Sequence, residues 1–308
     1  MIREIRLPPT AQGRLDRALA DALGVGRAAV KRAFQLGEVR VAGRRVRASD
    51  AAVPGSLVSV DIEEPAGPPA PEPDAPLSVL VVGPRAIVVD KPAGVAVHPL
   101  APGERGTLAN AVVARFPECA EASPDPREGG AVQRLDVGTS GCLAFARDRE
   151  AWDAIHAALR ERRVEKVYLA LVHGRVAAGG VISAALAQRG GRAVAAPDAE
   201  FESRLVAKGL RPRPAETRYE VERRFERHTL LRVRIATGVM HQIRAHLALA
   251  GHPVAGDALY GGEAAAMPGL DRIFLHATRL AFEAPPGERV EAESPLPAEL
   301  ASLLGRIA

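Results

Sequence analysis

Apolar residues recur every three or four positions at Leu15, Ala18, Leu19, Ala22 and Leu23, which predicts a short amphipathic helix that Gly24 can end. A second helix is expected at about 27–36, with Ala29, Val30, Ala33 and Phe34 inward and Gly37 as its stop. The period then changes to two. Val39, Val41 and Val46 alternate with Arg40 and Arg45 around Ala42-Gly43, the pattern of a hairpin with a glycine turn. Farther along, the apolar runs 79–82 and 86–90 read as strands, residues 91–94 as a turn and 95–98 as another short strand. Residues 110–116 read as helical, and 117–130 as a loop rich in Pro, Asp and Gly. Leu143 and Phe145 mark a strand, and 151–163 a helix burying Trp152, Ile155 and Leu159. Val167, Leu169 and Leu171 alternate with Tyr168, Ala170 and Val172, so Tyr168 and Val167 are expected on opposite faces of one strand. Two long strands at 217–225 and 230–237 should form a hairpin, and 241–250 a helix closed by Gly251. Strands outnumber helices and short turns join neighbours. An α+β chain with a mixed, mainly antiparallel sheet is therefore expected.

Between the two patterned regions, residues 63–76 read EEPAGPPAPEPDAP. Such a run of prolines and acids cannot form a core and predicts a stiff, extended linker. The chain of 308 residues thus divides into a small module at 1–62, the linker at 63–76 and a large domain at 77–308. Net charge is +4, but residues 1–62 hold 11 Lys or Arg against 6 Asp or Glu. Basic charge is densest in the small module, which suits a polyanionic partner. Cys119 and Cys142 match no metal spacing and are expected as free thiols, which points to a reducing cytoplasm. The absence of a leader pattern and of any apolar run of about 18 residues argues against secretion or a membrane span. A monomer is expected.

Three polar clusters carry candidate chemistry. Arg134-Leu135-Asp136 sets a carboxylate two residues after a guanidinium and just ahead of Thr139-Ser140-Gly141. About a hundred residues later, Thr237-Gly238-Val239-Met240-His241-Gln242-Ile243-Arg244 forms a second polar group in an apolar setting. Lys166-Val167-Tyr168 places a tyrosine on a strand. A lone Asp after Arg-Leu is more often a loop residue or a surface ion pair, and a lone strand tyrosine is more often simply half-buried. The combination is what makes a candidate site. His241 and His246 are five apart and leave one helix face, so no zinc site is expected. The chain has no P-loop, no Gly-x-Gly-x-x-Gly fingerprint and no His-Glu-x-x-His.

Taken in order, Asp90-Lys91-Pro92-x-Gly94, Arg134-Leu135-Asp136, Lys166-Val167-Tyr168, the 237–244 cluster and residues 251–261 resemble the motifs of the ribosomal large-subunit class of RNA pseudouridine synthases. The resemblance covers nearly the whole chain. It implies the isomerisation of a flipped-out uridine in RNA, ribosomal RNA ahead of transfer RNA, with no metal or other cofactor. It implies Asp136 as the essential carboxylate, acting as nucleophile or base, with Arg244 paired to it. It places Tyr168 under the extruded base. Arg134, Gln133, Thr139, His241, Gln242 and Lys91 are expected as RNA or loop contacts. Residues 13–62 resemble the small RNA-binding module named after the fourth protein of the small ribosomal subunit. That implies phosphate contacts from Arg27, Lys31, Arg32, Arg40 and Arg45.

The chain departs from the family pattern at four positions. Gln133 replaces the usual histidine, Val137 and Gly138 a basic and then an acidic residue, and Val239 an arginine. The lost charge implies altered target choice or a slower reaction. Two rival readings stand beside the synthase. One is an RNA-binding or ribosome-assembly factor that keeps the fold without turnover. The other is a nucleoside glycosidase, which would need a second acid near Asp136.

Overall fold

The computed structural model describes residues 2–25, 27–61, 67–101 and 103–307. It divides into two compact units, Met1–Gly67 and Pro68–Ala308. The smaller contains β1 (Ile2–Arg6), α1 (Leu15–Leu23), α2 (Arg27–Leu36), β2 (Val39–Val41), β3 (Arg44–Arg45) and β4 (Leu57–Asp61). Its strands form a sheet in the order β1-β4-β2-β3. The helices bury Leu15, Leu19, Val30 and Ala33 against Val39, Val58 and Val60 of that sheet. Gly24 ends α1 in the left-handed conformation that glycine adopts without penalty. Both helices and the hairpin lie where periodicity puts them. The pairing of β1 with β4, across fifty residues of chain, has no local signal.

The larger unit contains β5 (Ser78–Val82), β6 (Ala86–Lys91), α3 (Leu108–Arg115), β7 (Ser140–Ala146), α4 (Arg149–Arg160), β8 (Glu165–His173), β9 (Gly180–Ser183), β10 (Ala185–Arg189), β11 (Arg192–Ala196), α5 (Ala199–Ala207), β12 (Glu216–Arg224), β13 (His228–Ile235), α6 (Gln242–Leu249), α7 (Ala258–Gly261), β14 (Leu275–Ala284), β15 (Glu288–Glu293) and α8 (Ala298–Arg306). One sheet runs β5-β6-β7-β14-β8-β13-β12-β9, with β15 also paired to β14. Every pairing in it is antiparallel except β7 with β14. The α+β class and mainly antiparallel sheet are as expected. Gly141 sits at the parallel crossing with φ +113°, where a Cβ would lie 2.2 Å from the Ala277 carbonyl oxygen. No other residue fits there.

Two expectations fail. Residues 95–98 form no strand. The carbonyls of Ala96 and Val97 instead accept from the amides of Leu108 and Ala109, at the free N-terminal end of α3. Pro99 directly after the segment prevents the ladder from continuing beyond it. Nor is the whole 63–76 stretch a free linker. Its first residues lie outside the described ones, but Pro69 is buried, the Ala70 carbonyl accepts from Asn110 Nδ2 at 2.8 Å, and Glu72 accepts from the Gly106 amide at 2.8 Å. The second half therefore packs on the larger unit.

Candidate active site

A cleft of about 1090 Å³ opens beside the centre of the large sheet, bounded by the 134–139 turn, β8, the end of β13 and the start of α6. Single-ligand pockets typically enclose about 300–1,000 Å³, so this one can take a nucleotide with part of its neighbours.

The turn bearing Asp136 is tied down from beneath. The Thr139 amide donates to the Asp136 carbonyl at 3.0 Å. The Val137 carbonyl accepts from the Gly94 amide at 2.8 Å and from Lys91 Nζ at 3.2 Å. Arg272 Nη1 donates to the Gly138 carbonyl at 3.3 Å and to Ser140 Oγ at 2.9 Å. Rigid placement of a reacting group is what such bracing supplies. Lys91, expected at a solvated turn as an RNA contact, is instead 0% exposed. Its ammonium donates to the carbonyls of Pro92, Val95 and Val137, because a buried cation must spend its donors inside. Burial, and then the charge of Arg272, push its pKa down to about 8.

Arg244, in the first turn of α6, carries the site's electrostatics. Its Nη1 donates to Asp136 Oδ2 at 2.7 Å, while Nε and Nη2 donate to the two oxygens of Asp257 at 2.6 and 2.9 Å. Burial disfavours its charge, but the bonds to Asp257 and Asp136 outweigh this and raise its pKa. Asp136 Oδ1 accepts no side-chain hydrogen bond among the described residues; His241 Nε2 lies 3.8 Å from it. One carboxylate oxygen is thus held and the other left open on the cleft wall.

His241 is the N-cap of α6 and adopts φ +54°, unusual for a side-chain-bearing residue. Its Nδ1 lies 3.1 Å from the Tyr260 hydroxyl, which accepts from the Ala193 amide at 2.7 Å. That amide leaves the Tyr260 proton for His241 Nδ1, so Nε2–H is the tautomer facing Asp136. Burial lowers the His241 pKa, and the neighbouring carboxylates only partly oppose it. The ring is therefore neutral at pH 7.

Tyr168 lies on β8 along the cleft and is nearly buried. Burial first, and the charge of Asp136 second, push its pKa up. It stands as a neutral phenol, fit to stack and to donate a hydrogen bond. The expected opposition of Val167 and Tyr168 holds, and both faces are covered. Gln133 and the exposed Arg134 also line the cleft. Thr139 is buried beside them with no partner for its hydroxyl among the described residues.

Gln242, expected as an RNA or loop contact, is a loop contact. It accepts from Thr237 Oγ1 and the Val239 amide, and donates to the Glu216 carbonyl and Thr217 Oγ1. An amide at 3% exposure has to find all its partners within the fold. It fixes the loop that delivers α6. Of the four departures, Val137 is half exposed on the cleft wall, whereas Val239 joins an apolar cluster with Leu186, Ala193 and Ala245.

Sequence reasoning missed three participants. Asp257 falls in the 251–261 stretch of the resemblance, which gives it no role, yet it is 0% exposed and accepts from Arg244 and from the amides of Leu259 and Tyr260. Its one local signal is the Gly256-Asp257 step ahead of a helix. Tyr260 and Lys166 carried no separable signal. Lys166 donates to the Thr237 carbonyl at 3.0 Å, and burial depresses its pKa to about 8. Between about pH 8 and the ordinary lysine range near 10.5, the unfolded chain binds more protons at this residue than the folded one. Its contribution therefore rises with pH across that window. Relative to Lys166→Met, the wild type is expected to gain up to about 1.4 kcal/mol per pH unit there. Urea melts of both proteins from pH 7 to 10 check this, and a pH-independent difference would contradict it.

In the small unit, Lys31, Arg32, Arg40 and Arg45 are exposed. The Arg27 side chain lies outside the described residues. No group of three or more His, Cys, Asp or Glu that could hold a metal occurs among the described residues, and no described helix is long and apolar enough to cross a membrane. Cys119 and Cys142 are buried free thiols.

A family described as RNA pseudouridylate synthase matches residues 85–249. An uncharacterized RNA pseudouridine synthase of Chloroflexus aurantiacus is 38% identical over 312 residues, covering 99% of this chain and 93% of that one. A protein of Xanthomonas campestris named ribosomal large subunit pseudouridine synthase D is 34% identical over 320 residues, covering 99% and 92%. Among solved structures, human RNA pseudouridylate synthase domain containing 1 superposes with a TM-score of 0.56 at 25% identity, over 76% of this chain and 95% of that one.

Proposed function

We propose, for a chain that belongs to the RNA pseudouridylate synthase family, that the Asp136–Arg244 pair is its reactive centre and that its substrate is a uridine of large-subunit ribosomal RNA. The observation that carries the reading is the 2.7 Å ion pair on the wall of a cleft large enough for an extruded nucleotide. Isomerisation breaks the bond from ribose to the base nitrogen, turns the uracil and joins it through carbon five, whose proton leaves. Every atom comes from the substrate or solvent. Arg244 orients the carboxylate through Oδ2, and the open Oδ1 faces the nucleotide. Tyr168 supports the flipped base. Cytoplasmic placement and a monomeric state belong to the same reading. The test is tritium release from RNA labelled at carbon five of uridine. Release by the wild-type protein and its loss in Asp136→Asn are expected; an inert wild type would leave the RNA-binding factor as the better reading.

The small unit is assigned to RNA docking, as its exposed basic residues suggest. Lys31→Ala with Arg45→Ala is expected to raise KM several-fold more than it lowers kcat. The salt dependence of binding should flatten by about one phosphate contact per residue. An unchanged slope in a filter-binding titration would reject the assignment.

A further inference from the structure

Two of the three non-glycine residues with positive φ among those described, His241 and Arg162, line the cleft. Arg162 follows the last turn of α4 at φ +61°. The Arg162 amide donates to the Leu159 carbonyl and the Arg163 amide to that of Ala158, which closes the helix in the manner usually served by glycine. An arginine here is a strained choice for a C-cap, so its side chain calls for a reason.

The neighbours sharpen the point. In Arg160-Glu161-Arg162-Arg163, the single acid is taken by Arg163, whose Nε and Nη2 donate to Glu161 at 2.8 and 2.6 Å. Arg160 and Arg162 are exposed, line the cleft, and make no ion pair or side-chain hydrogen bond among the described residues. Another wall supplies Arg213 in the same condition. Its backbone is locked to Leu186 by reciprocal hydrogen bonds of 2.9 Å, which anchors it to β10. The acids lining the cleft are Glu128 and Asp136. Uncompensated guanidinium groups on rigid backbone at the mouth of a cleft are the chemistry that grips phosphate.

We propose that Arg160, Arg162 and Arg213 form a phosphate-binding rim that holds the RNA strand on either side of the nucleotide drawn into the cleft. This rests on the reading of the cleft as the site for a flipped uridine. Each residue contributes a charge-assisted contact to the backbone, so the rim sets affinity and strand register without reading sequence. Arg162 pays for its place in backbone strain.

The strain supplies the test. Arg162→Gly removes the guanidinium and relaxes the C-cap, so its Tm is expected at or above that of the wild type. Its affinity for a fluorescein-labelled RNA hairpin with uridines in the loop should fall about tenfold, with the slope of log K against log salt shallower by ~0.7. Arg160→Gln and Arg213→Gln should each weaken binding in the same direction. Arg289→Gln, which removes a paired charge outside the cleft, should bind within twofold of the wild type. Wild-type affinity and slope in Arg162→Gly and Arg213→Gln would overturn the rim, as would an Arg162→Gly protein that melts lower, since that would make the residue structural. Should the wild type release no tritium, the isomerase reading fails, and the binding comparison still decides the rim.

Discussion

Asp136→Asn is expected to abolish tritium release from RNA labelled at carbon five of uridine, a loss of at least ~10³-fold. The substitution keeps the size of the side chain and an oxygen to accept from Arg244 Nη1. Arg244 also keeps both bonds to Asp257, so the buried cation stays compensated. What disappears is the second, unbonded carboxylate oxygen. Nothing beside it can take its place. His241, 3.8 Å away, presents a protonated Nε2 and no lone pair, and Tyr168 is held as the phenol by burial and by the carboxylate itself. RNA affinity should change far less than rate, because the rim and the small unit are untouched. An Asn variant working within tenfold of the wild type would remove Asp136 from the chemistry. Accumulation of free uracil would instead favour a glycosidase.

Asp257→Ala is expected to lower stability by about 3–5 kcal/mol and Tm on the order of 10 °C. The carboxylate is fully buried and accepts two bonds from Arg244 and two from the amides of Leu259 and Tyr260. Removing it leaves a buried guanidinium facing a void and strips α7 of its cap. Activity should fall too, even at temperatures where the variant is folded, because Arg244 would be free to leave Asp136. Thermal melts followed by tritium release at low temperature separate the two effects. A Tm within one degree of the wild type would mean that Arg244 is held by something other than Asp257.

Much of this arrangement was legible in the chain. Helices α1 and α2, strand β8 and the hairpin of β12 and β13 follow from local period, with Gly24, Gly37 and Gly251 as stops. The pairing of Asp136 with Arg244 was legible only through the family resemblance; chemistry alone asks for a cation beside a carboxylate in a part-closed cleft and does not say which one. Lys91 reads as solvated because Pro92 and Gly94 beside it mark a turn, while its burial depends on strands distant in sequence. The 180–215 excursion, which brings Arg213 to the cleft, was not read at all. Its β9 pairs with β12, more than thirty residues on, which no periodicity encodes, whereas β10 and β11 pair locally with each other across Gly190-Gly191.

The sequence by itself determined which residue types stand where, how the short elements begin and end, and that a carboxylate, a guanidinium and a phenol recur in an order suited to uridine chemistry. Only the tertiary structure decided the distances. It joined residues 108 positions apart at 2.7 Å, buried Lys91 under the turn of Asp136, and left Arg160 and Arg162 unpaired while Arg163 took their acid. The reason is physical. Local pattern reports the energy of a residue against its own neighbours, whereas burial and ion pairing depend on strand order, and the insertion of β14 between β7 and β8 is set by packing across the whole sheet.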